Sequence, residues 1–562
     1  MTESPQILNL PSAEAAASIG APSAIGGWSG DPSSLSDRAA DVASLIQDLA
    51  RPVYVVDSGQ GKQQFTNRGP ASIGQTSAVH SGPALIAFAP SLSPADLGDT
   101  SFCQDHGISF PYMCGAMANG IASVELVKAA SEAGFLSAFG AGGLLLKDIE
   151  LGVDRLIREL KGQPFCINLI HTPEEKGHED AVVDLLLARG VHLIEASAYM
   201  ALTSAVVRYR VDGIYRAANG RVAAPNRIIA KASRVEVATR WFSPPPEKIL
   251  AHLVTAGQIT RDHAEMAAEI PMAQDLTVEA DSAGHTDRRP SISLVPTIIA
   301  LRDRLQHRYH YAETLRVGAA GGIATPASAA AAFAMGAAYV VTGTVNQACV
   351  ESGSSDIVRK MLAEAEQADV IMAPAVDMFE MGVQLQVLKR GTMFALRGKK
   401  LYDLYRRYNA VEEIPEAERQ TLEKTVFRMS LVEVWHLTRE FFTERDPSQI
   451  ARARRDPKHK MALIFRWYLG MSSHWANVGD ASRQIDYQVW CGPAMGAFNE
   501  WTRDSFLAQP GQRTVVNVAR NLICGAAVVT RINHLKQQGV VLPLAAQNVR
   551  PQQHINIENL AG

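Results

Sequence analysis

The sequence predicts an α/β protein whose main body is a (β/α)8 TIM barrel, with a small N-terminal cap and a mainly helical C-terminal domain. Eight short apolar runs recur between Pro111 and Gly343, with stretches of helical character between them. Because these runs do not alternate strictly between apolar and polar residues, they are typical of parallel strands covered by helices. Eight strand–helix units in this length favour a closed barrel over an open sheet.

The eight predicted barrel strands are each short and mostly apolar. They are residues 111–116, 135–140, 164–170, 191–197, 227–233, 276–281, 315–320 and 338–343. The long gap after the fifth strand contains residues 242–271, whose pattern indicates an inserted helical hairpin. We therefore predict an N-terminal extension and cap over residues 1–100, the barrel over 101–372, and a helical lid or substrate domain over 373–562.

The flanks of the barrel differ from it in composition. Residues 1–50 are rich in Ala, Ser, Gly and Pro and predict a weakly structured lead-in. Strands are predicted at Arg51–Ser58 and within Gly82–Pro94. After about Met372 the strand signals stop, and the sequence becomes charged and helical.

Bulk composition narrows the functional class. Apolar residues make up 47% of the 562 residues and charged residues 20%, as in an ordinary globular enzyme. Lys and Arg number 54 against 57 Asp and Glu, so no basic excess points to nucleic acid. The six cysteines are scattered without a CxxC pair, and we predict no metal site and no disulfide scaffold. We see neither a signal peptide nor a membrane-spanning run, and predict a cytoplasmic protein.

The loops after the seventh and eighth strands carry small residues suited to an anion. Gly321 and Gly322 follow the seventh strand, and Gly343 and Thr344 follow the eighth. These two loops hold the phosphate in many barrels of this type. Either loop alone is better explained by tight turns, but the two together favour a phosphate site. They form neither a GxGxxG nor a Walker sequence, so they do not indicate a Rossmann or P-loop site.

The sixth strand ends in EADSAGHTDRRP, Glu279–Pro290, which we interpret as the reacting edge of the barrel. His285 is the side chain here whose ordinary pKa lies near neutrality, so it is the candidate proton donor or hydrogen-bond donor to a substrate oxygen. The alternative is a structural histidine bonded to Asp281 or Asp287. Asp287 with the two following arginines is also explained by a surface ion pair.

Lys231 closes the fifth strand and needs an anionic partner there. A cofactor phosphate or the N1–C2=O edge of a flavin would satisfy it, and a salt bridge to Glu195 at the end of the fourth strand is nearly as good an explanation. Asn168, in the third strand, either bonds a flavin edge or caps the following loop HTPEE.

Cys114 lies near the end of the first strand. Nothing nearby in the sequence indicates an activated thiol, so a buried, inert cysteine is expected. A purine-nucleotide dehydrogenase barrel would place a nucleophilic cysteine after the sixth strand, where this chain has none. That class of enzyme is therefore disfavoured.

Several ordered motifs together resemble one family. YMCGAMANGIASVELVKAASEAGFLSAFGAGGL is similar to the opening of the nitronate monooxygenase/2-nitropropane dioxygenase-like flavin barrels. GAMANGIAS, KASR, VEADSAGHTDRRP and WCGPAMGAFNEW narrow the resemblance to the PfaD-type enoyl reductases of polyunsaturated fatty acid and polyketide synthases. The similarity runs from about Arg51 to near His534 and so covers most of the chain.

The resemblance implies a trans-acting, FMN-dependent enoyl reductase, with NADPH as hydride donor and an enoyl thioester on an acyl carrier protein as substrate. It implies His285 as a catalytic group facing the substrate. It implies that the cofactor is bound by Ala116, Met117, Asn168, Lys231, Gly284, Gly321, Gly322, Gly343 and Thr344. The partners expected are the carrier domains of a multienzyme synthase, and a homodimer stays open.

One departure from the family concerns the sixth-strand loop. Simple nitronate-type barrels read Glu-Ala-Gly-Gly-His, whereas this chain has Asp281–Ala283 before Gly284 and His285, so its loop is longer. Two other functions stay open as alternatives. One is a nitronate monooxygenase-like flavin oxidase, and the other is a non-catalytic partner protein of a synthase.

Overall fold

The computed structural model describes residues 23–59, 61–74, 82–172, 177–284 and 286–555. These residues form two compact units. The larger unit comprises Pro94–Ala526 and Arg550–Ile555, and the smaller unit combines the described residues up to Ser93 with Ala527–Val549. The predicted site residues that the structure describes all lie in the larger unit.

A closed barrel of eight parallel strands forms the centre of the larger unit, which confirms the predicted fold class. In chain order the strands are Tyr112–Cys114, Leu136–Phe139, Cys166–Ile170, Leu193–Ser197, Arg227–Ala232, Asp275–Glu279, Arg316–Ala320 and Val340–Thr342. Seven of the eight strands lie within the predicted runs. The sixth begins at Asp275, one residue before its predicted run. Their residues are almost all buried, which explains why the sequence shows apolar runs without alternation.

Helices follow the strands around the barrel. Between residues 94 and 363 the α-helices of the larger unit are Thr100–His106, Val124–Glu132, Leu146–Leu160, His178–Ala188, Ser204–Val211, Val235–Phe242, Glu247–Thr255, Arg261–Ala267, Ser291–Tyr309, Pro326–Ala334, Thr344–Gln347 and Asp356–Ala363. The helices Glu247–Thr255 and Arg261–Ala267 occupy the stretch expected to hold an inserted helical hairpin. A short β-hairpin, Tyr215–Arg216 with Val222–Ala223, precedes the fifth barrel strand.

A buried ionic network holds the amino ends of the sixth and seventh strands. Arg316 donates to both carboxylate oxygens of Asp275 at 2.6 and 3.1 Å, and His106 lies 2.8 Å from the same carboxylate. Burial alone would raise the pKa of Asp275, but the hydrogen bond from His106 and the charge of Arg316 lower it to about 2. In TIM barrels this end supports stability, whereas the opposite end carries the chemistry.

The C-terminal part of the larger unit is mainly helical, as predicted. Its α-helices are Phe394–Arg407, Glu416–Leu422, Leu431–Arg445, Pro447–Ala453, Pro457–Val478, Ala494–Thr502 and the first part of Val515–Gln537. The expectation that strands end near Met372 is wrong, because Val370–Pro374 and Gln384–Leu388 form an antiparallel hairpin. Residues 373–526 also belong to the same compact unit as the barrel.

The smaller unit contains an antiparallel sheet of five short strands. In spatial order they are Gln63–Thr66, Val53–Asp57, Ala84–Ala89, Gly26–Trp28 and Ala71–Ile73. The helices are Ala39–Gln47, Leu544–Gln547 and the last part of Val515–Gln537. The expectation of a weakly structured lead-in up to residue 50 is therefore wrong from Gly26 onward; its first 22 residues lie outside the described part of the chain.

Arg531 joins the two sequence segments of the smaller unit. Its buried guanidinium donates to the backbone carbonyls of Ile46, Asp48, Leu49, Arg51 and Pro90 at 2.7–3.2 Å. Arg531 lies in the helix Val515–Gln537, which is long and apolar enough to cross a membrane. However, 72% of the most apolar 18-residue segment of this helix is buried in the structure. Such burial is typical of the core helix of a globular protein.

Candidate active site at the carboxyl ends of the barrel strands

Strand register brings charged residues of three neighbouring strands together at the carboxyl end of the barrel. Glu195 of the fourth strand pairs in register with Asn168 of the third and Ile229 of the fifth. Lys231 pairs with Thr277 of the sixth strand, two residues before Glu279. Since alternate residues of a strand share one face, Lys231 and Glu279 extend the same interior layer as Glu195.

Lys231 is held between two carboxylates. Its ammonium lies 2.7 Å from Glu279 Oε1 and 3.9 Å from Glu195 Oε1, and its side chain is 12% exposed. Burial lowers the pKa of Lys231, but the charges of Glu195 and Glu279 outweigh that effect and raise it above its usual value. The lysine therefore stays cationic, and its closest partner is Glu279, which the sequence did not single out for this role.

Glu195 is a completely buried carboxyl group. Its Oε2 accepts a hydrogen bond from the Ala116 amide at 3.0 Å, while its Oε1 has no hydrogen-bond partner among the described residues. Burial raises the pKa of Glu195, with the charge of Lys231 opposing the rise and that of Glu279 adding to it. The sequence signal for this residue is an acid inside the otherwise apolar strand VHLIEAS, and it was expected only as a partner for Lys231.

Asn168 is 5% exposed and lies beside this cluster. Its amide nitrogen donates to the Glu195 carbonyl at 3.0 Å and to Ser197 Oγ at 2.9 Å. Asn168 therefore links the third strand to the fourth through these bonds. A Cβ on Gly142 would lie 3.3 Å from the Asn168 side-chain oxygen, so this oxygen faces the glycines after the second strand.

Ala116 and Met117 follow the first strand and lie against the loop after the second. The Met117 carbonyl accepts from the Ala122 amide, and a Cβ on Gly140 would collide with it. Ala116 packs against the barrel core while its amide is fixed by Glu195. This backbone is therefore set rigidly next to the buried carboxylate.

The glycines after the seventh and eighth strands differ in what surrounds them. Gly321, at φ +87°, approaches the sixth-strand loop so closely that a Cβ would lie 2.8 Å from the Ala280 carbonyl group. At Gly322, whose φ is +78°, and at Gly343, a Cβ would have no neighbouring atom within 4 Å. Thr344 begins the next helix directly after Gly343. Open space beside two glycine loops is what a phosphate group requires.

The sixth-strand loop is fastened on two sides. Asp281 accepts a hydrogen bond from Gln386 at 2.9 Å, and a Cβ on Gly492 would lie 3.4 Å from the Ala283 amide. Asp287 forms two 2.7 Å bonds with Arg234 and accepts from Ser233 at 2.9 Å.

These contacts bear on two expectations for the loop. The ion pair of Asp287 is made with Arg234, and the hydrogen bonds from this arginine lower the pKa of Asp287. His285 lies outside the described residues. Both roles considered for it, donor to a substrate and structural partner of Asp281 or Asp287, therefore stay predictions. Gly284 is open on its Cβ side apart from Glu279 Oε1 at 3.9 Å.

A second polar cluster, which the sequence did not predict, follows the third and fourth strands. Glu179 lies 2.9 Å from His171 Nδ1 and accepts from the Tyr199 hydroxyl at 2.7 Å and from Thr203. The rings of His171 and Tyr199 stack at 5.3 Å. Because His171 and Tyr199 follow directly after two barrel strands, the cluster fixes the loops at the same end of the barrel as Lys231.

All six cysteines are buried. Burial raises the pKa of the Cys114 thiol far above its usual value, with the Glu351 charge adding to the rise. A protonated, enclosed thiol is a poor nucleophile, in agreement with the inert cysteine expected at this position.

Comparison with known proteins places the chain in a family. The family described as nitronate monooxygenase matches residues 101–395, and the inserted helical domain of [acyl-carrier-protein] S-malonyltransferase matches residues 408–487. One polyunsaturated fatty acid synthase polypeptide of Thraustochytrium is 48% identical over 465 residues, which are 82% of this chain and 31% of that protein. A second synthase polypeptide of the same organism is 47% identical over 455 residues, 80% of this chain and 22% of that protein. The chain thus spans about a third or less of the length of these relatives.

Two further relatives are matched over most of their own length. Polyketide biosynthesis protein PksE of Bacillus subtilis is 39% identical, over 90% of this chain and 68% of that protein. The crystal structure of the enoyl reductase domain of MlnA, from the macrolactin biosynthesis cluster of Bacillus amyloliquefaciens, is 36% identical with a TM-score of 0.75. The match covers 78% of this chain and 99% of that domain. The chain therefore belongs to the nitronate monooxygenase family, in its branch of PfaD-type enoyl reductases of polyunsaturated fatty acid and polyketide synthases.

Proposed function

We propose that this protein reduces the C=C bond of enoyl thioesters carried on acyl carrier protein, using FMN and NADPH, in polyunsaturated fatty acid or polyketide synthesis. The observation that carries the proposal is the buried cluster of Lys231, Glu279 and Glu195 at the mouth of the barrel, in a chain that is 36% identical to an enoyl reductase domain. A flavin gains negative charge on reduction, and a fixed cation in a water-poor site stabilises such charge.

The residues present fit a flavin mononucleotide. Gly322 and Gly343 leave open space for the phosphate, and the Asn168 side-chain oxygen is an acceptor beside the glycines after the second strand. Lys231, Ala116, Met117 and Gly284 would hold its ring. When bound, FMN would supply hydride transfer from NADPH to the enoyl thioester.

The two glutamates set the charge around Lys231. With both carboxylates ionised, the three residues carry a net charge of −1, which opposes an incoming anion. Burial raises the pKa of Glu195, so this residue retains a proton more readily than an ordinary glutamate and brings the cluster toward neutrality. Glu279 would hold the ammonium in place until an anionic ligand competes for it.

His285 is proposed as the donor to the thioester oxygen or of the proton to the α-carbon. The support for this role is the family resemblance of the segment VEADSAGHTDRRP, in which His285 matches a histidine that faces the substrate. In the test, a His285→Ala variant is reduced and its flavin reoxidation by a crotonyl thioester is followed under argon. We expect slower reoxidation with an unchanged flavin spectrum. Reoxidation at the wild-type rate would remove His285 from the mechanism.

The C-terminal helical region is proposed as a lid over the acyl chain. It reaches three loops at the carboxyl end of the barrel: Ser473 accepts from Asn119 after the first strand, Arg445 donates to the Gly143 carbonyl after the second, and Gln386 bonds Asp281 after the sixth. A segment fastened to three such loops can exclude water from the site.

The alternatives are separated by one spectroscopic experiment. The purified protein is examined for a flavin spectrum, then reduced with NADPH and exposed to a crotonyl thioester under argon. Bleaching followed by reoxidation supports the enoyl reductase. Turnover of nitronates with O2 and without NADPH would support the nitronate monooxygenase-like oxidase, and absence of flavin would support a non-catalytic partner protein. Repeating the reduction with NADH in place of NADPH tests which nicotinamide the protein prefers. Gel filtration tests whether it is a homodimer. We propose a cytoplasmic location, which fits the proposed partners.

A further inference from the structure

We infer that a basic patch on the C-terminal helical region is the docking surface for the acidic acyl carrier protein, an inference that rests on the proposed function. The basic patch consists of Arg406, Arg407, Arg452, Arg454, Arg455 and Lys458. It joins the end of the helix Phe394–Arg407 to the turn between the helices Pro447–Ala453 and Pro457–Val478.

Lys458 joins the two halves of the patch. Its ammonium donates to the carbonyls of Tyr405 and Tyr408 and lies 4.3 Å over the Tyr405 ring. The turn that carries Arg454 and Arg455 is therefore anchored on the end of the helix that carries Arg406 and Arg407. Four arginines are thus gathered around one junction.

The charge of the patch is largely uncompensated. The side chains of Arg406, Arg407, Arg454 and Arg455 are exposed and make no hydrogen bond or ion pair within the part of the chain that the structure describes. Arg452 forms an ion pair with Asp456 at 3.7 Å. The negative charges of Glu413 and Asp456 attract the ammonium of Lys458. The patch thus presents four exposed arginines that have no ion pair among the described residues, and the carboxylates of the adjoining cleft, Asp403 and Glu418, are paired with Lys399 and Lys400. The whole chain, in contrast, has a formal charge of −3.

A surface with this charge attracts an acidic partner, because complementary charge speeds encounter and fixes orientation. Beside Arg407 runs an open cleft that adds an exposed apolar side chain, Leu396, with 55% exposure. Basic residues around an apolar contact suit a small acidic helical protein.

The position of the patch suits delivery of a tethered substrate. Arg445, the last residue of the helix Leu431–Arg445, donates a hydrogen bond to the Gly143 carbonyl in the loop after the second barrel strand. The helix Pro447–Ala453 starts two residues later, so the Arg454 backbone lies at most about 30 Å from that loop, counting the Arg445 side chain, two extended residues and seven helical residues. A carrier protein docked there could extend its flexible arm toward the barrel mouth.

The test is a charge reversal, Arg454→Glu with Arg455→Glu, in the full chain. The matched control is Arg261→Glu with Arg304→Glu, two exposed arginines elsewhere in the unit without a described ion pair. The first measurement is direct binding of a recombinant acyl carrier protein domain from a polyunsaturated fatty acid synthase. We expect the patch variant to bind roughly tenfold more weakly at low salt, with the difference shrinking at high salt. Equal affinity for wild type and patch variant, or an equal loss in the control, overturns the inference.

The second measurement compares crotonyl groups on three carriers: the carrier protein, coenzyme A and N-acetylcysteamine. We expect a lower kcat/KM in the patch variant with the carrier protein alone. An equal loss with coenzyme A would mean that the arginines recognise the phosphate of the arm, and would overturn docking of the protein surface. Failure of the wild type to reduce the crotonyl group on any of the three carriers would refute the proposed function, while the binding measurement would still decide the docking surface.

Discussion

Replacing Lys231 with Met tests whether the carboxylates at the barrel mouth depend on this lysine. The substitution keeps most of the side-chain volume but removes the charge 2.7 Å from Glu279 and 3.9 Å from Glu195. Glu195 is fully buried and Glu279 is 17% exposed. Removing one partner of a buried ion pair costs about 3–5 kcal/mol. Because Glu279 keeps some contact with water, we expect a loss of about 3 kcal/mol at pH 8, near the lower limit.

The loss depends on pH in a defined direction. Burial raises the pKa of Glu195 above its usual value, and Lys231 opposes that rise. Without the lysine the pKa rises further, so the folded variant binds a proton more readily than its unfolded chain does. A group with a raised folded pKa costs stability at high pH, and this cost disappears as the pH falls. Urea denaturation, followed by tryptophan fluorescence, should therefore show a smaller loss near pH 5.5 than at pH 8.

Two further variants make this prediction refutable. Lys248→Met removes an exposed lysine of the inserted helices and should change the free energy of unfolding by less than about 0.5 kcal/mol. Adding Glu279→Gln to Lys231→Met should recover about 1 kcal/mol or more, since neighbouring sites are not additive. A loss below about 1 kcal/mol in Lys231→Met, or a loss equal at both pH values, would refute the reasoning.

Two other substitutions test the frame of the site. Gly321→Ala places a Cβ 2.8 Å from the Ala280 backbone at φ +87°, whereas Gly322→Ala has φ +78° and no atom within 4 Å. In urea denaturation we expect the free energy of unfolding to fall by about 3 kcal/mol in Gly321→Ala and by about 1 kcal/mol in Gly322→Ala. Equal losses in the two variants would show that the close approach to Ala280 is unimportant. Asp275→Asn breaks the buried network with Arg316 and His106 and should cost about 2 kcal/mol at neutral pH. Since the folded pKa of Asp275 is about 2, wild type should lose this advantage between pH 4 and 2, and a gap that persists at pH 2 would contradict the assignment.

The barrel could be predicted from the sequence because each buried parallel strand leaves an apolar run. The hairpin strand Gln384–Leu388 was missed although QLQVL alternates polar and apolar residues, because the surrounding sequence is helical and charged. The small sheet was predicted only in part. Strands such as Gly26–Trp28 and Ala71–Ile73 have three residues, too few for a period to show.

The site was predictable only one residue at a time. Lys231 and the glycine loops stand out because a charge or a glycine at the end of an apolar run is conspicuous. The contact between Lys231 and Glu279 joins residues 48 positions apart, and it follows from strands five and six being neighbours. The bond between Asp281 and Gln386 spans 105 positions and has no local sequence signal. His285 stays a prediction from the family resemblance.

Arg531 has a consequence for the order in which this chain folds during synthesis. The five carbonyls that its guanidinium binds belong to residues 46–90, which leave the ribosome more than 400 residues before Arg531 does. At about 5–20 residues per second, these early residues are synthesised roughly 20–100 seconds before Arg531. The barrel sequence is translated in that interval, so it can fold first. A nascent chain stalled before residue 531 should therefore show a protease-resistant barrel and a protease-sensitive N-terminal segment.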